Sequence, residues 1–248
     1  MIEIDKVLNT ILNESIELPK ILVQGLTNNS SKVKKGYIFF AFKGENYDGN
    51  DFIEDAFKNG ACLAITDSNK LESQKNVVKV EDVRIAAGIA CSNFYNFPQN
   101  EVKLIGITGT NGKTSTSTIL KSILDAKNEK TIQIGTSGIK PSIEINPGLT
   151  TPDIFDLYEI LNYAVNENYK NVILEVSSHA LSQRRIENIF FDITAFTNLT
   201  HDHLDYHKTM DEYFSEKLKL FNLNKDNGSS VVMIDDEYGK RIAELNSN

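Results

Sequence analysis

The pattern of hydrophobic and polar positions changes near residue 98. Before it, the pattern predicts strands over 37–42, 61–66 and 77–80 and helices over 51–59 and 83–95. After it, strands are predicted at 102–108, 131–134, 171–176, 191–196 and 231–234. The helices between them follow residue 115 to about 127, run from 153 to about 168 and over 209–222, and begin again at 235. Such alternation predicts a mostly parallel α/β sheet, whose ligands bind beyond the carboxyl ends of the strands.

The polar stretch NFPQNE at 96–101 is the predicted boundary between two domains. A length of 248 residues fits this division, because domains commonly contain about 100–200 residues. We therefore predict one domain over 1–98 and a second over 99–248.

Composition narrows the class of protein. The chain is 40% hydrophobic, which is enough for a buried core, and its 26 basic against 34 acidic residues give a net charge of −8. This acidic balance argues against a nucleic-acid partner or an acidic membrane surface. Cys62 and Cys91 are far apart and form no CxxC pair, which indicates a reducing compartment. With no signal peptide and no apolar run that could cross a membrane, we expect a cytoplasmic protein with no membrane partner.

The strongest chemical signal is the glycine-rich segment GITGTNGKTS at 106–115, between a predicted strand and a predicted helix. Backbone N–H groups of such a loop bind polyphosphate at the helix N-terminus. Lys113 is then expected to contact the β- and γ-phosphates and Thr114 to ligate Mg²⁺. The spacing departs from the strict phosphate-loop pattern, since Ile107 stands where a glycine is usual. An ordinary turn with a surface lysine is the alternative.

Three further features are ambiguous by themselves. Glu175, at the end of a predicted strand, is either a Mg²⁺ ligand or part of a helix-capping turn. The cluster HDHLDYH at 201–207 approximates a metallohydrolase motif with one residue too many, and a surface loop is equally consistent with it. Lys217 lies in an amphipathic helix, where a solvated lysine is the ordinary case.

Five segments occur in the same order and at similar intervals in the Mur ligases: GTNGKTS (109–115), TTPD (150–153), EVSSHALSQRR (175–185), FTNLTHDHLDYH (196–207) and EYFSEK (212–217). The stretch 28–49 also resembles the uridine-nucleotide-binding segment of the family's tripeptide synthetases. The resemblance implies a small N-terminal α/β uridine-nucleotide-binding domain over 1–98. It implies a P-loop-type, mostly parallel α/β ATP-binding central domain, incomplete here, over 99–248.

The resemblance also implies roles for individual residues. Contacts to the UDP end of the substrate match Asn28, Ser30, Glu45, Asn46 and Tyr47. Contacts to its muramyl-peptide part match Thr150, Thr151, Ser177, Gln183 and Arg185. The ATP loop matches Gly109, Thr110, Asn111, Gly112, Lys113, Thr114 and Ser115. Mg²⁺ ligands match Thr114, Glu175, His203 and Lys217, the last as a carbamate, and the catalytic set matches Lys113, Glu175, His203 and Lys217.

The implied activity is ATP-dependent amide formation in peptidoglycan precursor synthesis, with ATP and Mg²⁺ as cofactors. The implied substrates are UDP-N-acetylmuramoyl-L-alanyl-D-glutamate and an amino acid of the diaminopimelate or lysine type, which are joined through an acyl phosphate. We expect a monomer. Lys217 is then no ordinary surface lysine, because a carbamate is an anionic oxygen ligand that suits Mg²⁺.

Departures from the family pattern leave alternatives open. Ser31 stands where a basic residue is common, and Leu149 stands where some members have Asn. Family members also continue into a third domain, so we expect this chain to be an N-terminal fragment. The alternatives are an inactive nucleotide-binding fragment, another ligase of the superfamily such as folylpolyglutamate synthase, and a zinc metallohydrolase.

Overall fold

The computed structural model describes residues 1–11, 20–44, 47–69, 75–145 and 148–245. The chain divides into two compact units, residues 1–97 and 98–248. The division falls one residue before the predicted boundary. Glu45 and Asn46, two of the expected substrate contacts, lie outside the described residues.

The first unit is built on a parallel sheet. Its strands are β1 (Ile2–Glu3), β2 (Leu22–Val23), β3 (Gly25–Thr27), β4 (Tyr37–Phe40), β5 (Ala61–Thr66) and β6 (Val77–Lys79), and its helices are α1 (Ile4–Val7), α2 (Ile53–Lys58) and α3 (Val83–Phe94). Strands β3 to β6 form a four-stranded parallel sheet in chain order, while β1 and β2 pair antiparallel. Phe39 and Ile53 belong to its apolar core. The apolar pattern therefore predicted the elements of this sheet from β4 onward, and the shorter β1, β2 and β3 were missed.

The second unit contains the longer elements. Its strands are β7 (Lys103–Thr108), β8 (Thr131–Gly135), β9 (Gly138–Lys140), β10 (Asn171–Glu175), β11 (Phe191–Phe196) and β12 (Asn224–Val232). Its helices are α4 (Lys113–Ala126), α5 (Ile154–Asn166), α6 (Ser178–Ser182), α7 (Leu204–His207), α8 (Met210–Leu218) and α9 (Glu237–Leu245). The sheet order is β12-β11-β7-β10-β8-β9, and every neighbouring pair is parallel except β8 and β9. The predicted mostly parallel α/β fold is confirmed.

The sheet order places the carboxyl ends of β7 and β10 side by side. Register pairs Ile107 of β7 with Glu175 of β10, and Thr108 with Phe196 of β11. The segments that follow these three strands therefore begin at one edge of the sheet. They contain the glycine-rich loop, the serine pair and the histidine cluster that the sequence analysis selected.

Two predicted boundaries near the end of the chain were wrong. The strand expected at 231–234 is β12, over Asn224–Val232, with an irregular register between its first residues and β11. A polar edge strand of this kind gains backbone hydrogen bonds without a buried apolar pattern, so periodicity does not detect it. The helix expected over 209–222 ends at Leu218, and residues Lys219–Leu223 continue as a 3₁₀ helix.

Over the described parts of the chain, no helix combines the length and the apolarity that a membrane crossing needs.

Candidate active site

The glycine-rich loop connects the end of β7 to the start of α4, as its sequence context predicted. Gly109 and Gly112 have φ angles of +145° and +85°, in the region that glycine adopts without strain. A Cβ atom at Gly109 would in addition collide with the Thr197 hydroxyl. The loop therefore requires both glycines, and it brings its backbone to the N-terminus of a 14-residue helix, where anions bind favourably.

Residues after β11 hold the loop in place. The Thr110 N–H donates to the Asn198 carbonyl at 2.9 Å, and the Asn111 N–H donates to the Asn198 side chain at 3.0 Å. The Thr197 hydroxyl donates to the Asn111 carbonyl at 2.7 Å. Asn198 was not among the predicted site residues, although it lies in the conspicuously polar segment that follows a buried strand.

Lys113 folds back over its own loop. Its Nζ donates to the carbonyls of Gly109 and Thr110, both at 2.9 Å. Burial lowers the pKa of Lys113, while the carboxylates of Glu175 and Asp202 oppose that shift. The ammonium group is thus already directed at the loop interior, where a bound phosphate would offer it stronger acceptors than two carbonyls.

Glu175 is fully buried at the end of β10 and is surrounded by hydroxyl groups. Its carboxylate accepts hydrogen bonds from Thr114 at 2.8 Å, Ser117 at 3.1 Å and Thr136 at 3.1 Å. A Cβ atom at Gly135 would collide with this carboxylate, so the glycine makes room for it. Ser117 and Thr136 were missed by the sequence analysis, because nothing local to either residue links it to Glu175.

The residues expected to contact the muramyl-peptide part lie close together. Thr151 donates to the Glu175 carbonyl at 2.9 Å and accepts from the Ser177 N–H at 3.0 Å. Arg185 donates to the Thr151 carbonyl at 3.2 Å and to the Gln183 side chain at 2.9 Å. Thr150 joins the group through Thr136, with the two hydroxyl oxygens 3.3 Å apart. Residues 34 positions apart in the sequence thus form one connected set next to Glu175.

Lys217 is not a solvated lysine, which corrects the interpretation drawn from its local sequence. It is 1% exposed, and its Nζ donates to the Gly109 carbonyl at 2.9 Å. Burial, assisted by the positive charge of Lys113, lowers the pKa of Lys217 to about 7. Among the described residues, no carboxylate forms a salt bridge with it. A substantial fraction of this amine is therefore neutral near neutral pH.

The histidines of HDHLDYH do not assemble into one metal site. His203 is half exposed and its ring contacts that of His179, whereas His207 is buried and hydrogen-bonded to Ser178 at 2.8 Å. Within the described ranges, no group of three or more His, Cys, Asp and Glu residues is arranged to hold a metal ion. The geometry therefore gives no support to the metallohydrolase alternative.

The remaining expected contacts lie in the first unit. Asn28 follows β3, and Ser30 begins a 3₁₀ helix over Ser30–Lys32 that Asn29 caps. Tyr47 is 75% exposed. Ser31, at the position where a basic residue is common, donates its hydroxyl to Asn29 at 2.7 Å.

Comparison of the sequence with known protein families identifies the family to which this chain belongs. The sequence profile of the Mur ligase middle domain matches residues 107–248, which is more than half of the chain. The chain belongs to the Mur ligase family. A second profile, described as the Mur ligase family catalytic domain, matches residues 22–95. The predicted family is confirmed, and the two matches lie within the two units of the structure.

Individual Mur ligases resemble this chain over about half of their own length. A UDP-N-acetylmuramoyl-L-alanyl-D-glutamate–2,6-diaminopimelate ligase of Fusobacterium nucleatum is 44% identical over 221 residues, which are 88% of this chain and 45% of the relative. A solved structure with the same ligase name has a TM-score of 0.82 and 26% identity, and the match covers 100% of this chain and 50% of that one. A MurF ligase from Thermotoga maritima in complex with ADP has a TM-score of 0.57 at 21% identity, covering 92% and 50%, which shows a shared fold.

Proposed function

We propose that this chain forms the UDP-substrate-binding and ATP-binding parts of a cytoplasmic, monomeric ligase of peptidoglycan precursor synthesis. The ligase adds an amino acid to UDP-N-acetylmuramoyl-L-alanyl-D-glutamate. Diaminopimelate is the favoured amino acid, because the 44% identical relative is named for it. The observation that supports the proposal most directly is the convergence of Lys113, Glu175 and Lys217 on one phosphate loop.

The proposed reaction has two steps. An oxygen of the substrate's D-glutamate carboxylate attacks the γ-phosphorus of ATP, the bond to the β,γ-bridging oxygen breaks, and ADP leaves. The amine of the incoming amino acid then attacks the carbonyl carbon of the acyl phosphate and loses a proton. The tetrahedral intermediate expels inorganic phosphate and leaves an amide. The residues of this chain contribute by positioning the reactants and by neutralising charge on the transferred phosphoryl group.

Lys113 is proposed to exchange the carbonyls of Gly109 and Thr110 for oxygens of the β- and γ-phosphates. The exchange is favourable because a phosphate accepts charge-assisted hydrogen bonds that are roughly twice as strong as neutral ones. Partial burial of Lys113 strengthens the interaction further, since water screens the charges less. The set of Thr150, Thr151, Ser177, Gln183 and Arg185 is proposed to orient the peptide carboxylate beside Glu175.

Mg²⁺ fits the donor set around Glu175. Glu175 is buried and, within the described part of the chain, forms no salt bridge, so its negative charge is compensated by three hydroxyl donors and the Thr136 N–H and not by a cation. Carboxylate and hydroxyl oxygens are hard ligands, which Mg²⁺ prefers. We propose that Thr114, Glu175, His203 and a carbamate on Lys217 are its protein ligands. The bound ion would neutralise charge on the phosphates during transfer.

The carbamate on Lys217 is proposed to form by direct reaction with CO₂. The neutral amine attacks the carbon of CO₂, a C–N bond forms, and the nitrogen releases one proton. Lys217 suits this reaction because its lowered pKa leaves neutral amine available near neutral pH. The product is an anion in place of an amine that titrates between neutral and positive, and the modification therefore turns Lys217 into an oxygen ligand suited to Mg²⁺.

The experiment that tests the substrate is calorimetric titration of this chain with UDP-N-acetylmuramoyl-L-alanyl-D-glutamate. We expect saturable binding that weakens about tenfold in Ser30→Ala, which removes one expected hydrogen bond to the ligand. Ser142→Ala, an exposed serine of the second unit, is the matched control and should bind like the unchanged chain. Absence of binding by a folded chain would contradict the proposal for this chain.

Repeating a failed titration on a longer form of the protein would separate two explanations. Binding that appears only in the longer form means that the site needs further residues. Continued absence means that the similarity misleads. Phosphate release from ATP in the presence of both substrates, measured on this chain, separately tests the alternative of an inactive nucleotide-binding fragment.

A further inference from the structure

Tyr213 is a buried tyrosine on α8 that no part of the proposed mechanism uses. It is 1% exposed, and its hydroxyl oxygen lies 3.2 Å from the Thr110 hydroxyl oxygen in the phosphate loop. The Lys217 Nζ lies 4.5 Å from the centroid of its ring. One side chain therefore contacts both the loop and the buried lysine.

The direction of the Tyr213–Thr110 hydrogen bond follows from the other partners of Thr110. The single hydroxyl hydrogen of Thr110 donates to the Thr200 carbonyl at 3.3 Å, and its oxygen accepts from the Thr200 N–H at 3.0 Å. A threonine hydroxyl has one donor and two acceptor positions. With the Thr110 hydrogen on the Thr200 carbonyl, the Tyr213 hydroxyl is the donor and occupies the remaining acceptor position of Thr110.

Tyr213 and Lys217 contact consecutive loop residues from one face of α8. Tyr213 bonds to Thr110, and Lys217 bonds to the carbonyl of Gly109. Residues four positions apart lie on the same side of a helix, one turn from each other. Helix α8 thus fixes the start of the phosphate loop through two side chains, and the ring of one lies against the amine of the other.

The Tyr213 ring is itself held from another element. The ring of His207 stacks on it with centroids 5.0 Å apart and planes 25° apart. His207 is 1% exposed, and its Nε2 lies 2.8 Å from the Ser178 hydroxyl at the start of α6. Because Ser178 follows Glu175 by three residues, this stack connects the end of β10 to α8 and, through Tyr213, to the loop.

We propose that Tyr213 is a positioning residue, whose hydroxyl fixes Thr110 of the phosphate loop and whose ring shields the Lys217 amine from water and fixes it beside Gly109. This proposal rests on the proposed function only for what the contacts serve, which is the binding of ATP and Mg²⁺ at the loop. The arrangement itself is testable without substrate, nucleotide or CO₂.

The first test measures amide hydrogen exchange at residues 110 and 111 in this chain without ligand. Tyr213→Phe removes the hydroxyl and keeps the ring, so exchange at these amides should become roughly three- to tenfold faster. The melting temperature and the exchange of the β7 core should not change. Tyr163→Phe, on α5 and paired with Tyr169, is the matched control and should leave the loop unaffected. Unchanged exchange at 110 and 111 in Tyr213→Phe would overturn the role of the hydroxyl.

The second test measures acylation of Lys217 by a water-soluble activated ester in CO₂-free buffer, followed by mass spectrometry of the peptide. Lys217 should react slowly in the unchanged chain and in Tyr213→Phe, and at least about tenfold faster in Tyr213→Leu, where opening of the site exposes the amine. The half-exposed Lys219 provides the internal standard. Equal protection of Lys217 in a folded Tyr213→Leu would overturn the role of the ring, and the first test decides the role of the hydroxyl even where this variant does not fold.

These outcomes are independent of the substrate titration. Faster exchange and faster acylation together with no binding of UDP-N-acetylmuramoyl-L-alanyl-D-glutamate would support Tyr213 as a positioning residue and contradict the proposed substrate. Binding of that substrate together with unchanged exchange and unchanged acylation would support the proposed substrate and contradict the role of Tyr213.

Discussion

Glu175 and Lys217 both carry ionisable side chains, are at most 1% exposed, and contact opposite ends of the glycine-rich loop. Glu175 accepts hydrogen bonds from the side chains of Thr114, Ser117 and Thr136. Lys217 donates to the Gly109 carbonyl, which Lys113 also uses, and its amine lies against the ring of Tyr213. Hydroxyl groups thus replace much of the hydration that the carboxylate loses, whereas the ammonium group obtains little replacement.

The difference shows that one loop is contacted by a buried carboxylate whose charge hydrogen bonds compensate and by a buried amine that tends to lose its charge. A buried charge is tolerated when hydrogen bonds compensate its desolvation, and otherwise its pKa shifts toward the neutral form. The Glu175 side of the loop is therefore suited to a cation. The Lys217 side, where the pKa is lowered to about 7, provides an amine that is partly neutral near neutral pH.

The largest expected effect comes from Lys113, whose charge interacts with both Glu175 and Lys217. Lys113→Ala removes the cation that contacts the loop interior, and we expect ATP turnover in an active, longer form of the proposed ligase to fall at least about 1,000-fold. The matched control is Lys121→Ala on the same helix, whose lysine is paired with Asp125. Turnover that survives in Lys113→Ala would contradict the assignment of the loop.

The next prediction tests whether the charge of Glu175 serves binding rather than folding. Glu175→Gln keeps the shape and some hydrogen bonds but removes the buried charge. We expect the free energy of unfolding to stay within about 1 kcal/mol of the unchanged value or to rise, because the desolvation cost of the charge is removed while some of its hydrogen bonds are kept. Mg²⁺-dependent binding of ADP, measured by calorimetry with and without EDTA, should weaken about 100-fold. A large loss of stability with normal Mg²⁺-dependent binding would indicate a structural carboxylate.

The buried amine of Lys217 is tested by the pH dependence of the free energy of unfolding. The unfolded amine of Lys217 titrates near 10.5 and the folded one at about 7, so between these values the unfolded state binds one more proton. Stability therefore rises with pH across this window, and the cost of burying the charge is fully present below pH 7.

Lys217→Met should consequently raise the free energy of unfolding at pH 7 by roughly 4 kcal/mol, since each pK unit corresponds to about 1.4 kcal/mol. The gain should shrink as the pH approaches 10. Urea unfolding in CO₂-free buffer at several pH values measures it, with Lys219→Met at an exposed position as control. A gain that does not depend on pH would mean that packing, and not charge, distinguishes Lys217.

The smallest effect concerns the space around Glu175. Gly135→Ala adds a Cβ that collides with the carboxylate, and we expect it to lower the free energy of unfolding by about 1–3 kcal/mol. Gly138→Ala in the same hairpin meets no atom within 4 Å but has a φ of +84°, so it should cost about 1 kcal/mol from backbone strain alone. Combining Gly135→Ala with Glu175→Ala should restore part of the loss, and full additivity of the two changes would contradict direct contact.

Sequence patterns predicted most of the second unit because its elements are long and apolar. Strand β11 has the predicted bounds, and Asp153 caps α5 as its position suggested. Elements with little burial, such as β9 and the polar first part of β12, were missed or shifted. Their pairing depends on a neighbouring strand and not on a hydrophobic period of their own.

The sequence by itself determined the family, the α/β class and the position of the glycine-rich loop, because glycines, a lysine and hydroxyl residues at fixed spacing between a strand and a helix form a recognisable pattern. Only the tertiary structure decided the state of Lys217, which local sequence describes as an ordinary helix-surface lysine. It also decided the surroundings of Glu175 and the contacts of Tyr213. The physical reason is that burial and hydrogen bonding depend on neighbours far along the chain: Gly109, which accepts from Lys217, is 108 residues away.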